Sequence, residues 1–374
     1  MNHSVSIPFF VVSLMTLLTL SNLCLGKDSQ RAEPPWPNIT DFMTVDGNNF
    51  KDGFRFMGSN LDPWRFITAS GEQYSEEAIN EWVVNAVQST HSRVIRMHMN
   101  GGAFEPTIGT YGEPSFKQLD YLLASAAKNH VYVLISLRDY LWSPWPKDAY
   151  DPYWYLGGGS KSRPLKEAVL VNTKAKDAFK NFIAYVLNRE NSVTGTKYKD
   201  DPHILGWEII NEPNMFIVNK KWFSEMADHI KAIDPHHLVG VATGDIAWGE
   251  WDPSSNWDKL NIPQLDFIDL HYYENLYCKN NTDYKTRLTK ILQRAKTLNK
   301  PIILGEFGYT NDIPRDKYLN IYQSVISISL HEGVSGVIPY SWGPLGPNNW
   351  GGRGGFNMYI NDQDICDLLK GLAP

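Results

Sequence analysis

Eight short apolar runs rich in β-branched residues recur along this chain, each separated from the next by enough residues for a helix. They occupy residues 54–61, 93–99, 131–137, 204–210, 238–242, 267–273, 301–307 and 336–342. Helical stripes lie between them. Ile79, Trp82, Val83, Ala86 and Val87 keep one face, and Phe179, Phe182, Ile183, Val186 and Leu187 another. Trp222, Phe223, Met226, Ala227, Ile230 and Ile233 form a third, ended by Asp234-Pro235, and Gly333 caps a fourth that runs through Tyr318, Tyr322 and Val325. Ser115-Phe116-Lys117-Gln118 reads as a capping box opening a further helix. Strand–helix alternation demands parallel strands joined by crossovers. Eight such units in one uninterrupted run predict an α/β fold, a single closed (β/α)8 TIM barrel. No glycine-rich phosphate fingerprint follows the first run, which argues against an open dinucleotide-binding sheet.

The rest of the chain sets limits. Hydrophobic residues make up 43% of its 374 residues and charged residues 20%, which supplies a core and excludes global disorder. Thirty-five Lys+Arg against 41 Asp+Glu give a net charge of -6, so no basic face is available for nucleic acid and none for an anionic membrane. Residues 7–20 are apolar and small residues follow, up to Gly26. That predicts a secretory signal peptide over residues 1–26, although its leading segment carries only His3 and no Lys or Arg. Residues 27–40 then read as a flexible lead-in and 41–374 as the catalytic barrel, expected to be extracellular and monomeric. In an oxidising compartment Cys278 and Cys366 remain once Cys24 has left, as one disulfide or as two unpaired thiols. Asn38 and Asn280 open glycosylation sequons.

A barrel places function at the C-terminal ends of its strands and in the loops that follow. Nine tryptophans fall there: Trp64, Trp142, Trp145, Trp154, Trp248, Trp251, Trp257, Trp342 and Trp350. Flat indoles suit sugar rings, whose C–H faces stack on them. Two strands end in carboxylates. One is Gly206-Trp207-Glu208-Ile209-Ile210-Asn211-Glu212-Pro213, where Pro213 cannot continue the ladder; the other is Pro301-Ile302-Ile303-Leu304-Gly305-Glu306. Glu212 and Glu306 can therefore face each other across the mouth. Glycoside hydrolysis needs such a pair, one carboxylic acid to protonate the leaving oxygen and one carboxylate to attack C1 or activate water. Glu208, on the face of Glu212 but deeper, reads as structural. Other chemistries lack support. There is no His-Glu-x-x-His, so no metal is expected; His236-His237 reads as a loop pair; residues 351–355 lack the Lys-Ser/Thr of a phosphate loop; and no Gly-x-Ser-x-Gly is present.

The chain resembles glycoside hydrolase family 5, and within it the secreted endo-β-1,4-mannanases of plants and fungi. The segment 187–208 carries the likeness most closely, with Asn191-Ser192-Val193-Thr194-Gly195, Tyr198-Lys199-Asp200-Asp201-Pro202 and Trp207-Glu208. The resemblance implies Glu212 as acid/base and Glu306 as nucleophile of a retaining enzyme that needs no cofactor. It implies that Asn211 bonds the sugar 2-hydroxyl, that Arg96 holds Glu306 ionised, and that His271 and Tyr273 line the same subsite with Tyr273 on the nucleophile. Trp342 would be the stacking platform beneath the sugar. Asn60 and Trp64 after the first strand and Trp142 after the third are further candidates for the cleft. The chain departs from the mannanase pattern at Met97-His98-Met99, where Thr-Trp is usual, and at Leu137-Arg138-Asp139-Tyr140, where an Asn-rich turn with a Trp is usual. An endo-β-1,4-glucanase on the same barrel is the alternative, and either way the partner is a β-linked polysaccharide or oligosaccharide.

Overall fold

The structure, a computed structural model, describes residues 35–61, 73–140, 152–155, 167–244, 253–273, 284–310, 313–342, 358 and 362–374. All eight apolar runs form strands: β1 (Phe56–Asn60), β2 (Ser92–His98), β3 (Tyr132–Ser136), β4 (Ile204–Asn211), β5 (Leu238–Thr243), β6 (Phe267–Tyr272), β7 (Ile302–Phe307) and β8 (Gly336–Pro339). Each pairs in parallel with its neighbour in chain order, and β8 closes on β1. Helices follow the strands in turn: α1 (Glu76–Thr90), α2 (Glu113–Lys128), α3 (Thr173–Asn188), α4 (Lys220–Ile233), α5 (Pro253–Leu260), α6 (Tyr284–Lys296), α7 (Arg315–His331) and α8 (Gln363–Leu372). This is the (β/α)8 barrel. Side-chain oxygens cap several helix starts: Ser75 accepts from the Ala78 amide, Asn172 from Ala175 and Asn219 from Trp222.

Two apolar clusters divide the interior. The larger fills the shell between strands and helices. The smaller closes the base of the barrel with Phe56, Val94, Leu134, Phe267, Ile303 and Ile338. Phe50, from a short antiparallel pair (Val45–Asp46 with Asn49–Phe50), joins that base cluster with Met43. The compact unit begins at Trp36 rather than at residue 41. The Trp36 carbonyl lies 2.8 Å from His130 Nδ1, and the Arg93 guanidinium covers its ring at 4.6 Å.

The capping-box expectation for α2 is corrected. The helix starts at Glu113, with Gly112 as its cap and no side-chain cap bond, and Pro114 sits in its first turn. Proline is pre-organised for that turn and lacks only an amide that would go unpaired there, so Ser115 falls inside the helix. The segment leading into β4 is structural. Asn191 Nδ2 donates to the Asp120 carbonyl and Tyr198 OH to the Asp120 carboxylate, tying the segment beneath α2. Trp207 Nε1 donates to Asp234, whose carboxylate also holds the buried His237 at 2.6 Å. Among the described residues, no helix is long and apolar enough to cross a membrane.

Candidate active site

Strand β4 does not keep a simple alternation. Between Glu208 and Asn211 its register against β5 shifts: Glu208 pairs with Gly240, and Asn211 with Ala242. One extra residue on β4 turns both Ile209 and Ile210 outward into the shell. Glu208 and Asn211 therefore both face the barrel axis. Glu212 follows with φ at +50°, a left-handed conformation that lifts its carboxyl to the rim. Gly244, after β5, leaves room for it. A methyl group at that position would lie 2.7 Å from the Glu212 side chain. Strand β7 has a matching irregularity. Leu270 pairs with Leu304 but His271 with Glu306, so Gly305 is the extra residue. A side chain at Gly305 would collide with the Asp269 carboxylate, which instead accepts the Gly305 amide at 2.6 Å.

Arg96, on β2, stands at the centre and is fully buried. Its guanidinium contacts Glu208 at 2.9 Å, Asp269 at 3.0 Å and Glu306 at 2.8 Å. It also donates to Asn60 Oδ1 at 3.0 Å and Asn211 Oδ1 at 2.7 Å. Burial opposes its charge, but the three carboxylates outweigh burial and push its pKa up. Burial raises Glu208 to about 8, against the pull of Arg96. Asp269 is equally buried, yet Arg96 and His271 hold it below its ordinary value.

Glu306 has both oxygens engaged. Oε1 accepts from Arg96 and Oε2 from Tyr273 OH at 2.7 Å. His271 Nδ1 lies 2.7 Å from Glu212 Oε1 and 3.6 Å from Glu306 Oε2, so one ring nitrogen bridges the two acids. Burial pulls His271 down, but Glu306, Asp269 and Glu212 together raise it to about 10. Glu212, His271 and Glu306 bring one oxygen or nitrogen each to within 4.8 Å of one another. That spacing suits a cation in principle, but a guanidinium 2.8 Å from the same Glu306 carboxylate repels one. The arrangement is instead that of one carboxylate fixed on both oxygens beside a second that is more open, with 14% side-chain exposure.

Other candidates take different places. Asn60 was expected to touch substrate, but it is buried and fully used by the protein. Its Nδ2 donates to the Gly305 carbonyl at 2.8 Å and its Oδ1 accepts from Arg96. Arg96 and His271 are likewise buried, Arg96 holding Glu306 and Asn211 and His271 lying against Glu212. Trp342 follows β8, is 1% exposed and packs in the shell cluster. Trp257 is also buried. The side chain of Trp154 lies outside the described residues, as do Trp64, Trp142, Trp145, Trp248, Trp251, Trp350, residues 351–355, Cys278, Asn280 and the segment 1–26. Cys366 is buried in α8, and Asn38 is exposed. Asp269 was not singled out from the sequence. It lies two residues before His271 on one strand face, and that period of two was the available signal. Asp139, bonded to Asn211, and Gly244 gave no comparable signal.

The shifts of His271 and Glu208 have the same sign: the folded protein holds both protons more tightly than the unfolded chain does. His271 contributes stability in full below its ordinary 6.5, lost as pH rises through about 10. Glu208 contributes in full below 4.5, lost through about 8. The thermal unfolding midpoint is therefore expected to fall as pH rises from 6.5 to 10, with His271→Gln flattening that slope. A wild-type midpoint that holds level across the interval would refute this charge arrangement.

Comparison with known proteins agrees with this geometry. Residues 164–332 match the family described as GH family 5 beta-mannosidase-like. Mannan endo-1,4-beta-mannosidase 5 of Arabidopsis thaliana is 28% identical, over 89% of this chain and 84% of that protein. Mannan endo-1,4-beta-mannosidase 1 of rice is 28% identical over 70% of this chain and 67% of its own. Among solved structures, the endo-1,4-beta-mannanase of Rhizomucor miehei superposes with a TM-score of 0.73 at 22% identity, covering 89% of this chain and 98% of its own. The endo-beta-1,4-mannanase of Thermotoga petrophila gives 0.71 at 22% identity, covering 86% and 77%. These two structures share the barrel. Fold, site geometry and sequence point the same way: this chain is similar to the β-mannosidase-like glycoside hydrolases of family 5.

Proposed function

We propose that this chain is a secreted, retaining endo-β-1,4-mannanase that hydrolyses internal bonds of mannan-type polysaccharides by double displacement. One observation carries the reading: oxygens of Glu212 and Glu306 lie within 4.8 Å of each other. Retaining glycosidases hold their carboxyl groups about 5–5.5 Å apart, and inverting ones about 6.5–9.5 Å, to admit a water between them. The pair's environments divide the roles. Arg96 and Tyr273 each donate to one oxygen of Glu306 and hold it in place, as a nucleophile requires. Glu212 is more open and can carry a proton to the leaving oxygen.

In the first step Glu306 attacks the anomeric carbon as Glu212 protonates the departing sugar oxygen, leaving a glycosyl–Glu306 ester and a Glu212 carboxylate. His271 Nδ1, 2.7 Å away, donates to that carboxylate. In the second step Glu212 takes a proton from water, the water oxygen bonds to the anomeric carbon, and the ester bond to Glu306 breaks. Two inversions leave the anomeric configuration unchanged. Glu306→Ala is expected to abolish hydrolysis of an activated aryl glycoside, and azide to restore turnover with an inverted glycosyl azide as product. Unaltered turnover in that variant would remove the mechanism.

The relatives named as mannan endo-1,4-beta-mannosidases support mannan as the substrate. The departures from the mannanase pattern at 97–99 and 137–140 keep an endo-β-1,4-glucanase as the second reading. Release of reducing ends from mannan, glucomannan, cellulose and β-1,3-glucan separates the two: mannan and glucomannan are expected to be cleaved, and cleavage of cellulose without mannan would favour the glucanase. Secretion rests on residues 1–26 and the exposed Asn38 sequon. Protein recovered from the medium of a secreting host is expected to begin near Lys27 and to carry glycan at Asn38. Intact mass of the same material reports whether Cys278 and Cys366 have lost their thiol hydrogens to a disulfide; retention of residues 1–26 would contradict the leader.

A further inference from the structure

Beyond the end of β3 the backbone continues to pair. Asp139 and Asn211 form a parallel bridge, in which the Asn211 amide donates to the Arg138 carbonyl at 2.7 Å and the Tyr140 amide to the Asn211 carbonyl at 3.1 Å. The Asp139 amide in turn donates to the Met99 carbonyl at 2.9 Å. This bridge sets the side chains of Asp139 and Asn211 beside each other, and Asn211 Nδ2 donates to Asp139 Oδ1 at 3.1 Å. The second Asp139 oxygen faces His98 Nε2 at 3.6 Å. The far end of the Asn211 carboxamide is fixed as well, because Oδ1 accepts from Arg96 Nη2 at 2.7 Å.

A carboxamide pinned in this way has one allowed orientation. Flipped, its nitrogen would meet a guanidinium, which only donates, and its oxygen would meet a carboxylate, which only accepts. Its oxygen is used on Arg96 and one amide hydrogen on Asp139. What Asn211 can still offer a sugar 2-hydroxyl is the second amide hydrogen and the remaining lone pair of Oδ1, both in fixed directions. Both segments that build the arrangement, 97–99 and 137–140, are those in which the sequence departs from the mannanase pattern.

We propose that Asp139 is a positioning residue that fixes the orientation of Asn211, so that recognition of the sugar 2-hydroxyl in this chain depends on a carboxylate beyond the catalytic pair. The inference rests on the proposed glycosidase activity. It acts on the reacting sugar because hydrogen bonds to the 2-hydroxyl strengthen in the transition state.

The test compares two activated aryl β-oligosaccharides that differ only in the 2-hydroxyl of the unit being cleaved, using the full-length enzyme. Asp139→Ala is expected to lower kcat on the hydroxylated substrate by roughly 10- to 100-fold with little change in KM, the worth of one hydrogen bond that involves a charged group. On the 2-deoxy substrate it is expected to change kcat less than about 3-fold. Retained 2-deoxy activity also reports that the variant is folded. Asp139→Asn keeps the shape and one acceptor oxygen, and carries the same test should the alanine variant fail to fold: a smaller loss, about 3- to 10-fold, confined to the hydroxylated substrate. Equal losses on both substrates would make Asp139 merely structural and overturn the proposal, as would no loss on either. Wild-type enzyme inert on every glycan and aryl glycoside would instead defeat the functional reading itself.

Discussion

The buried guanidinium of Arg96 is the constraint on which the mouth of this barrel depends. Taking such a cation out of water costs several kcal/mol even after relaxation, so it persists only where compensation is complete. Here Glu208 on β4, Asp269 on β6 and Glu306 on β7 surround it, and Asn60 on β1 and Asn211 on β4 accept its remaining hydrogens. Strands that are not neighbours in the sheet are thereby joined across the axis. Asn60 extends the brace by donating to the Gly305 carbonyl on β7. Deleting one member of such a cluster leaves a buried charge uncompensated, typically at about 3–5 kcal/mol.

Much of this was legible in the sequence, for reasons that can be named. Parallel strands buried on both faces read as continuous apolar runs, and all eight runs became strands. Helices packed on one side show one-sided stripes. Asn-Glu-Pro marks a strand end without any knowledge of tertiary structure, because proline cannot continue the ladder. The strand irregularities were not legible. A strictly alternating β4 would put Glu208, Ile210 and Glu212 on one face; the extra residue sends Ile210 outward and brings Asn211 in beside Glu208. Nothing local announces such a bulge, since it is set by the register of the neighbouring strand.

The same limit explains Asn60 and Trp342. Asn60 ends β1 and Trp342 follows β8, where a barrel keeps its chemistry, yet both are buried. Position along the chain places a residue at the mouth but does not say whether ligand or protein occupies its partners. For Asn60, an arginine and three backbone carbonyls occupy them. The resemblance gave the two central acids different parts, and the coordinates add the physical difference between them. Glu306 meets a guanidinium and a phenol, whereas Glu212 meets an imidazole and solvent; divergent surroundings are what allow chemically identical groups to take opposite parts.

The cross-axis brace has an evolutionary consequence. Because the groups that hold Glu306 also fasten the strand tips to one another, the setting of that carboxylate and the integrity of the mouth are inherited together. A lineage built on this framework cannot trade those residues for new preferences without loosening the frame. Change is left to those connecting segments that touch neither this fastening nor the Asp139–Asn211 bridge.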